Sequence, residues 1–318
     1  MTPAKPPAQV HPGHGPPAHG HPADTWRAVR DRALALVRAR PPLLVVTDFD
    51  GTISPINPDP MGAIIEPVAR VALRRLAGMA ERRPDRLAVA VLSGRSAPDL
   101  AGRVRVGGVR YLGNHGLEAG ALNRRVRAER LQVRVDPALA SYVEPAAALA
   151  RSVVDRLGRP HWLFVELKGP SIAFHFRQAT DADAAREALL GAIEATERET
   201  GGSGLVHFEG RKMVELRPAG AGGKGHAAVR LLERLRPGGV IAFGDDVSDA
   251  LAFQAIAEAR GRGELDALLV GVHGAAETPP QMTAVADAFV ATPRDAGRLL
   301  AAIARELQRE GHQANEAG

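Results

Sequence analysis

Two aspartates that follow a short apolar run, Asp48 and Asp50, are the residues of this chain best suited by type and spacing to do chemistry. The uninterrupted apolar run 43–46 predicts a buried parallel strand that ends in these carboxylates. Residues two apart in a strand share one side and lie roughly 7 Å apart, from about 3.3 Å of rise per residue. One carboxylate could then attack a substrate while the other reaches the leaving group. Gly51 would let a metal ion or phosphate approach the turn. The alternative is an ordinary turn capped by aspartate.

Polar side chains also follow two later apolar runs of the predicted sheet. Ser93 follows one run, and Asp245, Asp246 and Asp249 follow the other. In open parallel sheets, ligands bind at the carboxyl ends of strands, so we expect these side chains to meet the first two aspartates. Five carboxylates in one cleft would repel one another without a cation, and oxygen ligands favour a hard ion such as Mg²⁺. A turn with a helix cap at Asp249 is the alternative for the last group.

The order of the predicted elements indicates an α/β protein with two domains. Short apolar strands alternate with helices over residues 24–125 and 218–310, which predicts a parallel-sheet core of Rossmann-like type. Over 126–217 the order changes to helix, two strands, helix and two strands, which predicts a smaller α+β domain inserted into the core. Residues 1–23 have the composition of a disordered tail, and we expect 311–318 to be a frayed C-terminus.

Composition narrows the class of protein and its partners. A chain of 318 residues with 45% hydrophobic residues can bury two cores. The sequence contains no apolar run of the roughly 20 residues that a membrane helix requires, and no signal-peptide pattern. We therefore expect a cytoplasmic protein with no membrane partner. The lack of cysteine excludes disulfides and thiolate metal sites. A net charge of +5 without aromatic interleaving of the arginines predicts an anionic small-molecule substrate and no nucleic-acid partner.

Four motifs resemble, in order, those of the haloacid dehalogenase superfamily: DFDGT from Asp48, Ser93, Lys224 and GDDVSD from Gly244. That resemblance implies a catalytic core in which Asp48 is the nucleophile and forms an aspartyl-phosphate. It also implies that Asp50 protonates the leaving oxygen and then activates water, while Ser93 and Lys224 hold the phosphoryl oxygens. The Mg²⁺ ligands that it implies are Asp48, the backbone carbonyl of Asp50, Asp245 and Asp249.

Longer blocks resemble the trehalose-6-phosphate phosphatase family. They are LSGR from Leu92, GNHG from Gly113, VELKGPSIAFHFR from Val165, ELRPAGAGGKG from Glu215 and FGDDVSDALAF from Phe243. The resemblance implies that the inserted domain is a cap over a sugar phosphate, trehalose 6-phosphate. The residues it places near the disaccharide hydroxyls are Glu166, Lys168, Ser171 and Glu215. Those it places near the phosphate or the entrance are Arg95, Asn114 and His115.

Two departures from the family pattern bear on metal binding and substrate fit. The family usually has Thr-Asp-Glu-Asp where residues 248–251 read Ser-Asp-Ala-Leu, which removes charge beside the predicted metal site. The glycine-rich stretch 220–225 also lacks the aromatic residue expected before Lys224. The alternatives are another capped phosphatase, for sucrose 6-phosphate or mannosyl-3-phosphoglycerate, a phosphomutase with the same nucleophile, and a sugar-phosphate sensor without turnover.

Overall fold

The computed structural model describes residues 22–57, 59–122, 131–210, 212–273 and 278–316. The strands in these ranges are β1 (Leu43–Thr47), β2 (Leu87–Leu92), β3 (Arg110–Gly113), β4 (Glu118–Ala121), β5 (Arg134–Val135), β6 (Phe164–Lys168), β7 (Ser171–His175), β8 (Leu205–Gly210), β9 (Met213–Pro218), β10 (Gly239–Gly244), β11 (Asp266–Val272) and β12 (Ala288–Val290). The α-helices are α1 (Pro22–Ala39), α2 (Pro67–Arg82), α3 (Ala97–Val104), α4 (Val143–Arg156), α5 (Ala182–Thr200), α6 (Lys224–Leu235), α7 (Val247–Gly261), α8 (Pro280–Val285) and α9 (Pro293–Glu316).

The larger of two sheets has eight strands in the order β12-β11-β10-β1-β2-β3-β4-β5. Neighbours from β12 to β3 are parallel, and β4 and β5 add an antiparallel edge. The strand β1 lies near the middle of this order, between β10 and β2. The predicted α/β class and the parallel-sheet core are therefore confirmed.

Every residue of β1 is buried because helices cover both faces of the larger sheet. Val45 belongs to the apolar cluster on the side of α1, α2, α3 and α9. Leu44 and Val46 point the other way, into the cluster on the side of α6, α7 and α8. A strand packed on both faces favours apolar side chains at successive positions, which is why residues 43–46 form a continuous apolar run.

The smaller sheet has four antiparallel strands in the order β6-β7-β9-β8, and α4 and α5 pack on one of its faces. Phe174, Leu189 and Val214 are buried in the cluster between sheet and helices. Side chains alternate along a strand, so Glu166 and Glu215 project from the opposite face. The chain enters this unit after β5 and leaves it before α6, which makes it an insertion into the larger fold.

Several elements differ in extent from the sequence expectations. The larger sheet includes β5, which lies inside the range 126–217 predicted for the inserted domain. The first predicted helix of that range is divided, with residues 137–142 forming a 3₁₀ helix before α4. The last helix continues to Glu316, beyond the predicted fraying at Gly311. The predicted disordered tail lies, up to residue 21, outside the described residues.

None of the helices in the described ranges has the combination of length and hydropathy that a transmembrane segment requires.

Candidate active site

Three neighbouring strands of the larger sheet end at the same edge, and polar residues follow each of them. In the register, Thr47 at the end of β1 pairs with Phe243 of β10 and with Val91 of β2. The next residue after β1 is Asp48, whose backbone N–H donates to the Phe243 carbonyl at 3.0 Å. Ser93 follows β2 directly and is buried. The adjacency of these strands is the reason that residues distant in sequence share one site.

Lys224, the first residue of α6, reaches the centre of this edge. Its Nζ lies 2.9 Å from Asp48 Oδ1 and 2.8 Å from Asp249 Oδ1, and its side chain is 2% exposed. Burial works against the ammonium charge, but the attraction of the two carboxylates outweighs burial and raises the pKa of Lys224. The lysine is therefore a fixed positive charge in contact with the predicted nucleophile.

Asp48, Asp245 and Asp249 each direct one carboxylate oxygen into a cluster in which these atoms lie within 4.8 Å of one another. Burial raises the pKa of all three, and repulsion among the aspartates adds to it. Thr52 Oγ1 donates to Asp245 Oδ1 at 2.6 Å and fixes that carboxylate. Two of these carboxylates are buried and that of Asp245 is partly buried, so together they exceed the charge of one lysine, and an all-oxygen donor set is suited to a hard divalent cation. The cluster thus fits the predicted Mg²⁺ site.

Gly51 permits this close packing between the β1 turn and the acidic cluster. Its φ is +79°, and an added Cβ would lie 2.0 Å from Asp245 Oδ2. A larger residue would therefore collide with a carboxylate of the cluster. Glycine is required here both for its conformation and for its size.

The first turn of α7 orients Asp249 and shows which aspartate caps the helix. Asp246 is the N-cap, and its Oδ1 accepts from the Asp249 backbone N–H at 2.8 Å. Asp249 Oδ2 in turn accepts from the backbone N–H groups of Asp245 and Asp246, at 3.2 and 3.3 Å. Asp249 is not the N-cap residue, because it is the third residue of α7, but its side chain completes a capping box with Asp246. Its second oxygen remains directed at Lys224.

Asp50 lies outside the acidic cluster, and its carboxylate is paired with Arg95. Arg95 Nε donates to Asp50 Oδ2 at 2.6 Å, and Nη2 donates to Oδ1 at 2.8 Å. The side chain of Asp50 is 38% exposed. The carboxylate of Asp50 is therefore not part of the acidic cluster, and the role of its backbone carbonyl as a metal ligand stays a prediction.

The turn between β6 and β7 lies against the loops that follow β2 and β3. Lys168 Nζ donates to the Gly94 carbonyl at 3.1 Å. Asn114 Nδ2 donates to the Lys168 carbonyl at 2.6 Å, and Ser171 Oγ donates to Asn114 Oδ1 at 2.9 Å. Asn114 and Ser171, both predicted to contact substrate, therefore bind each other across the junction of the two sheets.

Glu215 is the centre of a second charged group at this junction. It lies 3.6 Å from Lys168 Nζ and 3.8 Å from His115 Nε2, and Arg217 donates to it. Burial opposes its charge, but Lys168 and Arg217 hold the pKa of Glu215 below its ordinary value. Burial, together with the nearby charge of Arg217, lowers the pKa of His115 to about 3, so that imidazole is neutral. Glu166 contacts Lys168 from the other side, at 3.6 Å.

Sequence reasoning did not single out several residues that shape the site. Those that contact predicted site residues or interact with them electrostatically are Thr52, Asp99, Glu118 and Arg217. Arg217 could have been found, because it lies two positions after Glu215 in a strand and shares its face. Glu118 Oε2 accepts from the Ala97 backbone N–H at 2.7 Å, and its strand has no apolar run that would have marked it.

The family comparison covers both the acidic cluster and the inserted sheet. Residues 46–284 match the model of the trehalose-phosphatase family. The chain belongs to this family. A trehalose-phosphate phosphatase of Mycobacterium marinum is 35% identical over 218 residues, which is 67% of this chain and 51% of the relative. This member of the family thus spans about half the length of the mycobacterial trehalose-phosphate phosphatases that it matches.

Solved structures show that this trehalose-phosphatase family member has a haloacid dehalogenase-like fold. The C-terminal domain of Candida albicans trehalose-6-phosphate phosphatase aligns with a TM-score of 0.63 at 19% identity, covering 87% of this chain and 97% of that one. A haloacid dehalogenase-like hydrolase of Bacteroides thetaiotaomicron aligns with a TM-score of 0.51 at 18% identity, covering 84% of this chain and 98% of that one. At these identities the likeness concerns the fold.

Proposed function

We propose that this chain is a Mg²⁺-dependent phosphatase that hydrolyses trehalose 6-phosphate to trehalose and phosphate. The observation that carries the proposal is the contact of buried Lys224 with both Asp48 and Asp249, inside a cluster of three carboxylates. An ammonium fixed beside a carboxylate nucleophile suits a reaction in which negative charge develops on a phosphoryl group. Family membership supports the choice of substrate.

Asp48, Asp245 and Asp249, with the backbone carbonyl of Asp50, are the residues that would hold Mg²⁺. The oxygen donors of the three side chains are close enough for one ion, and their buried charge favours one. When bound, the ion offsets the repulsion between the anionic nucleophile and the anionic phosphate ester.

Phosphoryl transfer in this proposal has two steps. A carboxylate oxygen of Asp48 bonds to phosphorus while the bond from phosphorus to the sugar oxygen breaks, and that oxygen takes a proton from Asp50. A water oxygen then bonds to phosphorus and gives a proton to Asp50, and the bond from phosphorus to Asp48 breaks. Ser93 and Lys224 hold the phosphoryl oxygens during both steps.

The inserted domain, residues 126–217, would act as a cap on the core formed by 24–125 and 218–310. Lys168 and Glu215 project from its open sheet face toward the end of β2. Glu215 Oε1 and Arg217 Nε are buried, and neither has a hydrogen-bond partner in the described part of the chain. Sugar hydroxyls, which both donate and accept, would satisfy an unpaired acceptor and an unpaired donor of this kind.

Phosphate release from a panel of sugar phosphates, with Mg²⁺ and with a chelator, tests the proposal. We expect Mg²⁺-dependent release that is fastest with trehalose 6-phosphate and is abolished in Asp48→Asn. Faster turnover of sucrose 6-phosphate or mannosyl-3-phosphoglycerate would reject the substrate. Phosphate moved within the sugar would indicate a mutase, and binding without release would indicate a sensor.

A further inference from the structure

Arg95 is attached to Asp50 by a two-point contact that fixes the plane of the carboxylate. Its Nε and Nη2 lie 2.6 and 2.8 Å from the two oxygens of Asp50, which is the fork geometry that arginine offers and lysine does not. The guanidinium carbon also lies 5.5 Å from the centroid of the buried Phe49 ring. The position of the Arg95 guanidinium is therefore set both by the Phe49 ring and by the Asp50 carboxylate.

The third nitrogen of the guanidinium is held by the helix that follows. Arg95 Nη1 donates to Asp99 Oδ2 at 2.9 Å, and Arg103 Nε donates to the two oxygens of Asp99 at 2.9 and 2.8 Å. These three residues recur at intervals of four, with Arg95 just before α3 and the other two on it, and this is the spacing at which helical side chains meet. We call Arg95, Asp99 and Arg103 the α3 charge row.

The far end of the α3 charge row is anchored on backbone. Arg103 Nη1 donates to the carbonyls of Met61 and Ala63, both at 3.0 Å, in the loop that leads from the β1 turn to α2. The side chains of Arg95 and Arg103 are 14% and 11% exposed. Burial raises the pKa of Asp99, but hydrogen bonds from both arginines outweigh it and leave that pKa below its ordinary value. The α3 charge row thus links Asp50, through alternating arginine and aspartate side chains, to the backbone of the loop before α2.

We propose that the α3 charge row is a positioning device for Asp50, so that Arg95 acts on catalysis through Asp50 and does not bind the sugar phosphate. This inference rests on the proposed function. All three nitrogens of Arg95 have carboxylate partners, which argues against the substrate contact expected from the sequence. A carboxylate has about four acceptor sites, so two bonds from Arg95 leave sites on Asp50 for a proton.

The proposed role concerns one proton transfer. When the bond from phosphorus to the sugar oxygen breaks, the electron pair stays on that oxygen, which takes the proton of Asp50 as the bond from Asp48 to phosphorus forms. Small displacements of a catalytic group can reduce the rate about 100-fold. A leaving group that is stable as an anion needs no proton, and its departure should not depend on how Asp50 is held.

A comparison of two substrates in single turnover tests the role of Arg95. Trehalose 6-phosphate has a leaving oxygen that needs a proton, whereas p-nitrophenyl phosphate has one that does not. In Arg95→Gln we expect release of trehalose to slow about 100-fold and release of p-nitrophenol to change less than about threefold, with the KM for trehalose 6-phosphate unchanged. Arg95→Lys, which keeps the charge without the fork, should resemble Arg95→Gln.

Two further variants separate positioning from general damage. Asp99→Asn should slow trehalose release about tenfold through the row, without touching substrate. Arg105→Gln is the matched control, because Arg105 lies at the end of the same helix and donates to the Gly102 carbonyl instead. We expect wild-type rates from it, and thermal unfolding of each variant checks that the fold is retained.

The outcomes distinguish this inference from the proposed function. Equal losses with both substrates, or a raised KM with unchanged turnover, would overturn the positioning role alone. Wild-type protein that releases phosphate from no sugar phosphate would overturn the proposed function and the inference with it. A loss confined to the sugar phosphate supports both.

Discussion

The Nζ atom of Lys224 lies 2.8 Å from Oδ1 of Asp249, and both side chains are almost completely buried. The same nitrogen contacts Asp48, so one lysine joins the ends of β1 and α7. Charges this deeply buried are stable only as a set, because removal of one leaves the others without compensation. The site should therefore respond to single substitutions in both activity and stability.

Replacement of Lys224 by methionine removes the ammonium while keeping most of the side-chain volume. We expect turnover of trehalose 6-phosphate to fall about 1,000-fold, the upper part of the range for loss of a preorganised charge donor. Stability should fall as well, because Asp48 and Asp249 lose their partner. Steady-state kinetics and urea unfolding measure both effects. The exposed Lys212 provides the control Lys212→Gln, and equal effects of the two substitutions would contradict the prediction.

We expect the free energy of unfolding of the metal-free protein to fall as the pH rises, because of the acidic cluster. Burial raises the pKa of Asp48 and of Asp245 to about 8 from 3.8. The folded state then holds protons that the unfolded chain has released, so stability falls as the pH rises from about 4 to about 8. Mg²⁺ would replace those protons. We expect Mg²⁺ to raise the Tm more at about pH 8.5 than at about pH 5.5, and a rise independent of pH would count against the site.

Thr52 should influence metal affinity through Asp245, whose Oδ1 its hydroxyl contacts at 2.6 Å. In Thr52→Val, which preserves shape, we expect the Mg²⁺ concentration for half-maximal activity to rise about tenfold, because partners of metal ligands tune affinity by about 10- to 100-fold. Thr196→Val is the matched control, since Thr196 is equally buried and donates to a helix carbonyl in the inserted domain. A similar rise in both variants would argue against this role.

The hydrogen bond between Asn114 and Ser171 should couple the inserted domain to the core. Both residues are fully buried, and Ser171 Oγ donates to Asn114 Oδ1 at 2.9 Å. We expect Asn114→Ala and Ser171→Ala to destabilise the protein, with a coupling free energy of about 1 kcal/mol in a double-mutant cycle. Urea unfolding of the single and double variants measures that coupling. Strictly additive losses would show that the contact contributes nothing.

The replacement of family acids by Ala250 and Leu251 should matter little for Mg²⁺. Ala250 is buried at 5% exposure, and Leu251 is 51% exposed on α7, so neither belongs to the acidic cluster. We expect Leu251→Asp to leave the Mg²⁺ requirement within about twofold of wild type, because an exposed charge is screened by solvent. Activity titrated with Mg²⁺ checks this, and a markedly lower requirement would show that the missing acid assists metal binding.

The meeting of Asp48 with Asp245 could be predicted because each follows a buried run of a parallel sheet. Apolar runs mark such strands well, and the topology brings their ends together. By contrast, β4 and β5 have four and two residues with little apolar character, so they gave no signal. Their place at the edge of the larger sheet depends on the pairing of β4 with β3 and of β5 with β4, which local sequence does not encode.

The partner of Arg95 could not be read from the sequence. Arg95 and Asp50 lie 45 positions apart, on the loops after two different strands, and only the fold determines that they form a pair. The spacing of Arg95, Asp99 and Arg103, four residues apart, permits contacts between neighbours in this series, but it does not reveal that Asp50 joins them. Sequence patterns therefore identified the groups that could take part in chemistry but not which of them support one another.

The short link between the inserted sheet and Lys224 has a mechanical consequence. Residues 219–223 separate the end of β9 from the start of α6, and Gly220, Gly222 and Gly223 are among them. Glycine rotates more freely than any other residue. If the inserted sheet moved, rotations in residues 219–223 would absorb the motion, while the Lys224 ammonium would keep its contacts with Asp48 and Asp249. The inserted sheet and Lys224 are thus joined by a short glycine-rich segment that would allow the sheet to shift without displacing the ammonium group.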